Sequence, residues 1–303
     1  MAAVDDSIPS RRTLKYIARL FTGAKEFSCT LFHVQRPIPQ FILDELNNDI
    51  QATAALKRYQ RENEIKAQIL LRENRDQLIS MGFSECAIKT VTQPRKFGFA
   101  RDIIDYAQEN FFDAIVVSRH RLQKGSIGNV SAKLLEHSST VTVWVVGGDV
   151  TSSKFLVAVD GSENSVKAIG FLCFILEENP EMEFTLYHVA QNDMAGYGHF
   201  GSESDADLEV VFQRSQKRLL DRFSIDALQR FKDAGIPESR FEIVTVTSQQ
   251  SAKAARMILE EVKKGDYGTV VIGRRGIGRA HFFGSISRHV AEAITDRALW
   301  VVS

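Results

Sequence analysis

The chain repeats itself, and this constrains its fold more than any other feature. Val4-Asp5-Asp6-Ser7 returns as Val159-Asp160-Gly161-Ser162, and Leu31-Phe32-His33-Val34 returns as Leu186-Tyr187-His188-Val189, both displaced by 155 residues. Ile115-Val116-Val117-Ser118 keeps that displacement to Val270-Val271-Ile272-Gly273. Beyond this point the displacement is 156: Gly128 answers Gly284, Ser131 answers Ser287, and Val143-Trp144-Val145-Val146 answers Leu299-Trp300-Val301-Val302. Collinear order over half of a 303-residue chain describes one duplicated domain, not a solenoid of short units. The join falls in Gly147-Gly148-Asp149-Val150-Thr151-Ser152-Ser153, a composition that reads as a linker. The domains expected are therefore 1–148 and 152–303, each long enough to bury a core.

Within the second copy, apolar β-branched runs alternate with helical periodicity. Strands are expected at 155–159, 184–189, 241–246, 269–272 and 299–302, and helices at 166–176, 208–234, 251–262 and 285–295. Ser162 or Asn164 suits the cap of the first helix. Strands alternating with helices imply an α/β fold with a parallel sheet covered on both faces. Right-handed crossovers then give two tandem doubly wound, Rossmann-like or flavodoxin-like domains. The first copy follows the same order, with a short first strand and a long, strongly charged helix over 51–80 that reads as a solvated face.

The chemistry-bearing stretch is Gly273-Arg274-Arg275-Gly276-Ile277-Gly278-Arg279, leading to Gly284-Ser285-Ile286-Ser287. A strand that feeds a glycine-rich loop and then opens a helix is the geometry of a phosphate cradle. Glycines admit φ > 0 and bring backbone N–H groups close to an anion, and the helix N-terminus adds unpaired donors. Arg274, Arg275 and Arg279 could add positive charge. An ordinary strand-to-helix turn is the competing reading of the same residues.

Taken together, Val157-Ala158-Val159-Asp160-Gly161-Ser162, Leu186-Tyr187-His188-Val189 and the strand–glycine-loop–helix, all in order and all present twice, resemble the universal stress protein family. The resemblance covers essentially the whole chain. It implies sheet order 3-2-1-4-5 in each copy and, in one branch of the family, an ATP site at the carboxyl ends of strands 1 and 4. It also implies that Gly273, Gly276, Gly284 and Ser285 contact phosphates and Arg275 adds a charged contact. Asp160 would stand at the adenosine end and Val189 would offer backbone bonds to adenine. The family pattern places nine residues between its second and third glycines, whereas seven (277–283) separate Gly276 from Gly284 here. In the first copy Ser118 and Arg121 replace the first two glycines, and only a basic loop of Arg119, His120, Arg121 and Lys124 remains for an anion. The expected cofactor is thus ATP, with or without Mg²⁺, held mainly by the second copy. A slow ATPase and an interaction protein without nucleotide are the alternatives.

Other signals exclude more than they assign. A formal net charge of zero argues against a broad nucleic-acid or membrane footprint, and no apolar run is long enough to span a bilayer. Ser10-Arg11-Arg12 imitates an export signal, but the residues after it are too charged, and the segment reads as an amphipathic helix. Three scattered cysteines (Cys29, Cys86, Cys173) suit a reducing, cytoplasmic setting. Gly196-Tyr197-Gly198-His199-Phe200-Gly201 spells a dinucleotide fingerprint but does not directly follow a strand, so a loop is expected there. His33 and His188 lack partners at ligand spacing and read as packed strand residues, and no metal site or catalytic constellation is found. Residues 142–146 and 299–302 are apolar strands at sheet edges, which need cover. They are expected to pair across a pseudo-two-fold axis as an internal dimer, compatible with a further homodimer.

Overall fold

The computed structural model describes residues 1–21, 23–38, 42, 50–120, 129–191, 203–248, 254–274 and 284–303. In the first half β1 (Ala2–Ala3), α1 (Ile8–Phe21), β2 (Cys29–Gln35), α2 (Ile50–Ser80), β3 (Ile88–Pro94), α3 (Phe99–Glu109), β4 (Ala114–Ser118), α4 (Asn129–His137) and β5 (Thr142–Val146) follow in order. The second half repeats the series as β6 (Lys154–Val159), α5 (Glu163–Leu176), β7 (Glu183–Gln191), α6 (Glu203–Asp233), β8 (Phe241–Ser248), α7 (Ala254–Lys264), β9 (Tyr267–Gly273), α8 (Ser285–Ala293) and β10 (Ala298–Val302).

All ten strands join one sheet in the order β3-β2-β1-β4-β5-β10-β9-β6-β7-β8. Read within each half, this is the 3-2-1-4-5 order of a doubly wound sheet. Neighbours run parallel except β5 and β10, which are antiparallel with Trp144 opposite Trp300 and Val145 opposite Leu299. The helices cover both faces. Residues of α1, α2, α5 and α6 pack into one core, and those of α3, α4, α7 and α8 into the other. Strand residues alternate between them: Trp144 and Trp300 face the first core, whereas Val143, Val145, Leu299 and Val301 face the second. Burial on both sides is why these strands read as continuous apolar runs.

The two tryptophans stack in the middle of the molecule, ring centroids 3.8 Å apart and nearly coplanar. Trp300 Nε1 donates to the Tyr16 hydroxyl at 2.8 Å, and that hydroxyl lies 2.8 Å from Thr269 Oγ1. The repeat places Phe171 where the first half has Tyr16. Phe171 meets Trp144 edge-on, and Trp144 Nε1 has no hydrogen-bond partner among the described residues.

Some expectations need adjustment. At the join between the halves the Gly147 amide donates to the Arg297 carbonyl at 3.0 Å. A β-carbon on Gly147 would lie 2.4 Å from the Thr295 carbonyl oxygen. Close backbone approach explains this glycine better than linker flexibility does. Helix α8 stops at Ala293, because Ile294 leaves the helical region at φ −74°, ψ 111°. The charged residues of α2 such as Lys57, Arg58, Arg61 and Glu62 are exposed, as expected of a solvated face, while Ala67, Leu71 and Leu78 of the same helix are buried.

Candidate functional site

In each half the first and fourth strands end side by side where strand order reverses. Open α/β sheets form their ligand crevices at such points. In the second half β6 runs into Asp160 and β9 ends at Gly273, with Ala158 opposite Ile272. Asp160 Oδ1 accepts from the Ser162 amide at 3.0 Å and from the Ser165 hydroxyl at 2.8 Å. Ser165 Oγ in turn accepts from the Asp160 amide at 3.0 Å. This knot turns the strand into α5, whose cap is Ser162. The first half ties a related knot: the Asp5 amide donates to Ser10 Oγ, and the amide and hydroxyl of Ser7 both donate to Asp5 Oδ1.

Val189 stands one strand over, next to His188, which pairs with Val159. His188 Nδ1 lies 3.0 Å from the Val159 carbonyl and His33 Nδ1 lies 2.8 Å from that of Val4, so both histidines are spent on neighbouring strands. The Gly273 carbonyl accepts from the Ser287 hydroxyl at 2.8 Å, and the Gly284 amide donates to the Arg274 carbonyl at 3.1 Å. Gly284 is the N-cap of α8 and makes no side-chain cap. Ser285 and Ile286 follow, both exposed. The first N–H groups of a helix lack intrahelical acceptors, so this end presents donors toward the crevice. The structure thus brings Asp160, Val189, Gly273, Gly284 and Ser285 to one edge of the sheet. Arg275, Gly276, Gly278, Arg279 and the glycine-rich stretch 196–201 lie outside the described residues.

Arg274 does not serve as a surface charge for an anion. It is buried, and its guanidinium donates across the sheet to the Leu135 carbonyl of α4 in the first half. Its repeat counterpart Arg119 is also buried and donates to the Ala291 carbonyl of α8. Each arginine therefore ties the strand end of one half to a helix of the other. A cation placed by the carbonyls in the last turns of a helix is favourably oriented.

The first half holds what the sequence did not reveal, a cavity of about 590 Å³ at its own strand reversal. Val4, Val34, Ile103, Val117 and Val130 give it an apolar interior. Helix α2 contributes Tyr59, Asn63, Lys66, Ala67 and Leu70, which recur at three- and four-residue spacing on one face. That spacing was the available signal, hidden by the charged residues around it. Across the mouth, His120 Nε2 lies 3.0 Å from Asp5 Oδ2 and 3.0 Å from Ser118 Oγ. Burial alone would raise the Asp5 carboxyl, but hydrogen bonds from His120 and Ser7 outweigh it and hold the pKa at about 2. The hydrogen bond to Asp5 raises His120 above the ordinary imidazole value, against a smaller opposing effect of burial. Aspartate and serine both address Nε2, whereas a relay triad needs them on opposite ring nitrogens. The cluster is a latch, not a nucleophile site. Arg121 and Lys124, the rest of the expected basic loop, lie outside the described residues.

The sequence model of the universal stress protein family matches residues 1–147 and, a second time, residues 151–295. The chain belongs to the universal stress protein family. As a tandem universal stress protein it carries the family domain twice in succession. A universal stress protein of Archaeoglobus fulgidus DSM 4304 is 20% identical, with 100% of this chain and 96% of that chain covered at a TM-score of 0.59. A functionally unknown protein of Pseudomonas aeruginosa PAO1 is 14% identical, with 99% and 90% covered at 0.57. At these identities the likeness is one of fold. No curated protein matches the chain in sequence. Among the described residues of this universal stress protein no helix is long and apolar enough to cross a membrane, and no cluster of His, Cys, Asp and Glu could hold a metal ion.

Proposed function

We propose that this tandem universal stress protein is a regulatory module of the stress response that binds ATP or a related adenine nucleotide in its second half. The observation that carries the reading is the start of α8: a glycine N-cap without a capping side chain, hydrogen-bonded to the end of β9 and set beside Asp160 at the strand reversal. Backbone donors of Gly284 and Ser285, with Gly273 and Gly276, would take the phosphates, and Arg275 would add charge. Asp160 would face the adenosine end and Val189 the adenine. ATP, with or without Mg²⁺, would bring the anionic charge that this helix end favours.

Binding without turnover fits better than catalysis. The one carboxylate at the crevice that sequence offered as a base, Asp160, already accepts from Ser162 and Ser165. A non-nucleotide interaction protein is the second reading, favoured by the seven-residue spacing 277–283. Antiparallel pairing of β5 with β10 supports one chain acting as an internal pseudo-dimer, with the outer edges β3 and β8 left for a further homodimer. The free thiols of Cys29, Cys86 and Cys173 suit a reducing, cytoplasmic setting.

Mass spectrometry of the natively purified protein after denaturation, with ATP titration calorimetry, tests the reading. One adenine nucleotide per chain, lost in Gly276→Val, is expected. Absence of both nucleotide and binding heat, with Mg²⁺ present, would leave the interaction protein as the better reading.

A further inference from the structure

The cavity of the first half faces the same kind of strand reversal as the nucleotide crevice but has a different chemistry. Its interior is apolar, built from Val4 and Val34 at strand ends, Leu70 on α2, Ile103 on α3 and Val130 on α4. About 590 Å³ falls within the range of small-molecule sites, which are mostly apolar with a few fixed polar groups. At β4 the position answering Gly273 is Ser118, whose hydroxyl contacts His120, so a side chain occupies the place of a phosphate cradle. Charge is arranged differently too. Asp5 is paired with His120, which compensates its charge while the imidazole is protonated. Arg36 at the end of β2 and Lys66 on α2 line the cavity, are exposed, and form no ion pair among the described residues. Among the described residues lining the cavity, the cations without an ion pair thus stand on the β2–α2 side.

We infer that the first half is a separate ligand site for a small amphipathic organic anion. Its apolar body lies between α2 and α3, and its carboxylate or phosphate lies against Arg36 and Lys66. Tyr59, exposed, and Asn63, half-buried, line the cavity one turn apart on the same face of α2. This site goes beyond the nucleotide reading and does not depend on it.

The His120–Asp5 latch makes the site sensitive to pH. The titratable and charged groups facing the cavity are Asp5 and Asp6 after β1, His33 and Arg36 on and after β2, Tyr59 and Lys66 on α2, and His120 after β4; α3 and α4 contribute none. While His120 is protonated, Asp5 is compensated. As pH rises through the elevated His120 pKa, Asp5 loses its counter-charge and, with Asp6 beside it, repels an anion. Anion binding therefore weakens with rising pH across that transition.

The test uses the full chain with decanoate and decyl phosphate as probes, decanol as the uncharged control and ATP as competitor, followed by native mass spectrometry and calorimetry. Saturable one-to-one binding of decanoate or decyl phosphate is expected, and which of them binds more tightly identifies the preferred anion. The surface double variant Arg36→Glu/Lys66→Glu should weaken both anions about tenfold or more and leave decanol unchanged. Asn63→Trp, at a half-buried position lining the cavity, should block all three probes without unfolding the chain, and Gly276→Val should leave them unaffected. Absence of saturable anion binding, equal binding in the charge-reversed variant, or full displacement by ATP in the Gly276→Val background would each overturn the assignment. The last result would make the cavity a second nucleotide site. Loss of ATP binding in Gly276→Val alone bears only on the second half, so the two readings fail separately.

Discussion

His120 and Asp5 form a contact whose strength follows the proton. The histidine pKa is raised in the folded chain, so its stabilising share is complete at low pH and is lost as pH climbs through the folded value. The aspartate is held near 2, so its share is present above the unfolded carboxylate value and disappears as pH falls toward 2. The pair is therefore intact between these limits. With both side chains about two-fifths exposed, it contributes roughly 1 kcal/mol or less. An NMR titration of His120 should give a midpoint above about 6.5 that drops in Asp5→Asn; a midpoint unmoved by that substitution would remove the latch. Residue identities were legible only where the chain repeats them. Asp160 and Gly273 were placed correctly at strand ends because short patterns on both sides frame them. The direction of Arg274 was not legible, since its side chain is drawn to a carbonyl 139 residues away. The recurrence of arginine at 119 and 274 was the only hint.

Among the elements, strands and helices were read from periodicity with small errors at their ends, because burial on both faces leaves an unbroken apolar run. Helix α2 was harder. Its contribution to the cavity is five residues on a surface otherwise rich in charge, so pattern alone shows a solvated helix. The join was read as a linker from its composition; that one of its glycines is also tightly packed is visible only in the structure, which sets Thr295 against Gly147. Gly147→Ala should therefore destabilise the chain by about 1–3 kcal/mol, since the obstructing atom is backbone and the segment must shift. In a chain of this size that corresponds to a fall of roughly 2–5 °C in Tm. An unchanged melting curve would mean that the turn at Thr295 yields freely and the close approach is incidental.

Across the whole molecule, duplication created a nearly symmetric seam that one hydroxyl makes unequal. Trp144 and Trp300 stack face to face where β5 meets β10, each in a fully buried setting where an unmet indole N–H costs stability. Trp300 is served by Tyr16, which also contacts Thr269 on β9, so α1 of the first half holds two strands of the second. Trp144 has Phe171 in the corresponding place, and Phe171 has no hydroxyl to offer. The asymmetry makes paired predictions. Tyr16→Phe strips the partner from Trp300 Nε1 and from Thr269 Oγ1, at a cost of about 1–3 kcal/mol. Phe171→Tyr places a hydroxyl in the position by which Tyr16 reaches the other tryptophan, with an expected gain of up to about 1 kcal/mol. Thermal and urea denaturation of the two variants should move in opposite directions, and the double variant should lie near their sum because the hydroxyls serve different indoles. A neutral Tyr16→Phe would show that the bond across the seam contributes nothing net. A destabilised Phe171→Tyr would show that the two halves have diverged in packing around the stack, so that the repeat still aligns the backbone but no longer predicts the space beside each ring.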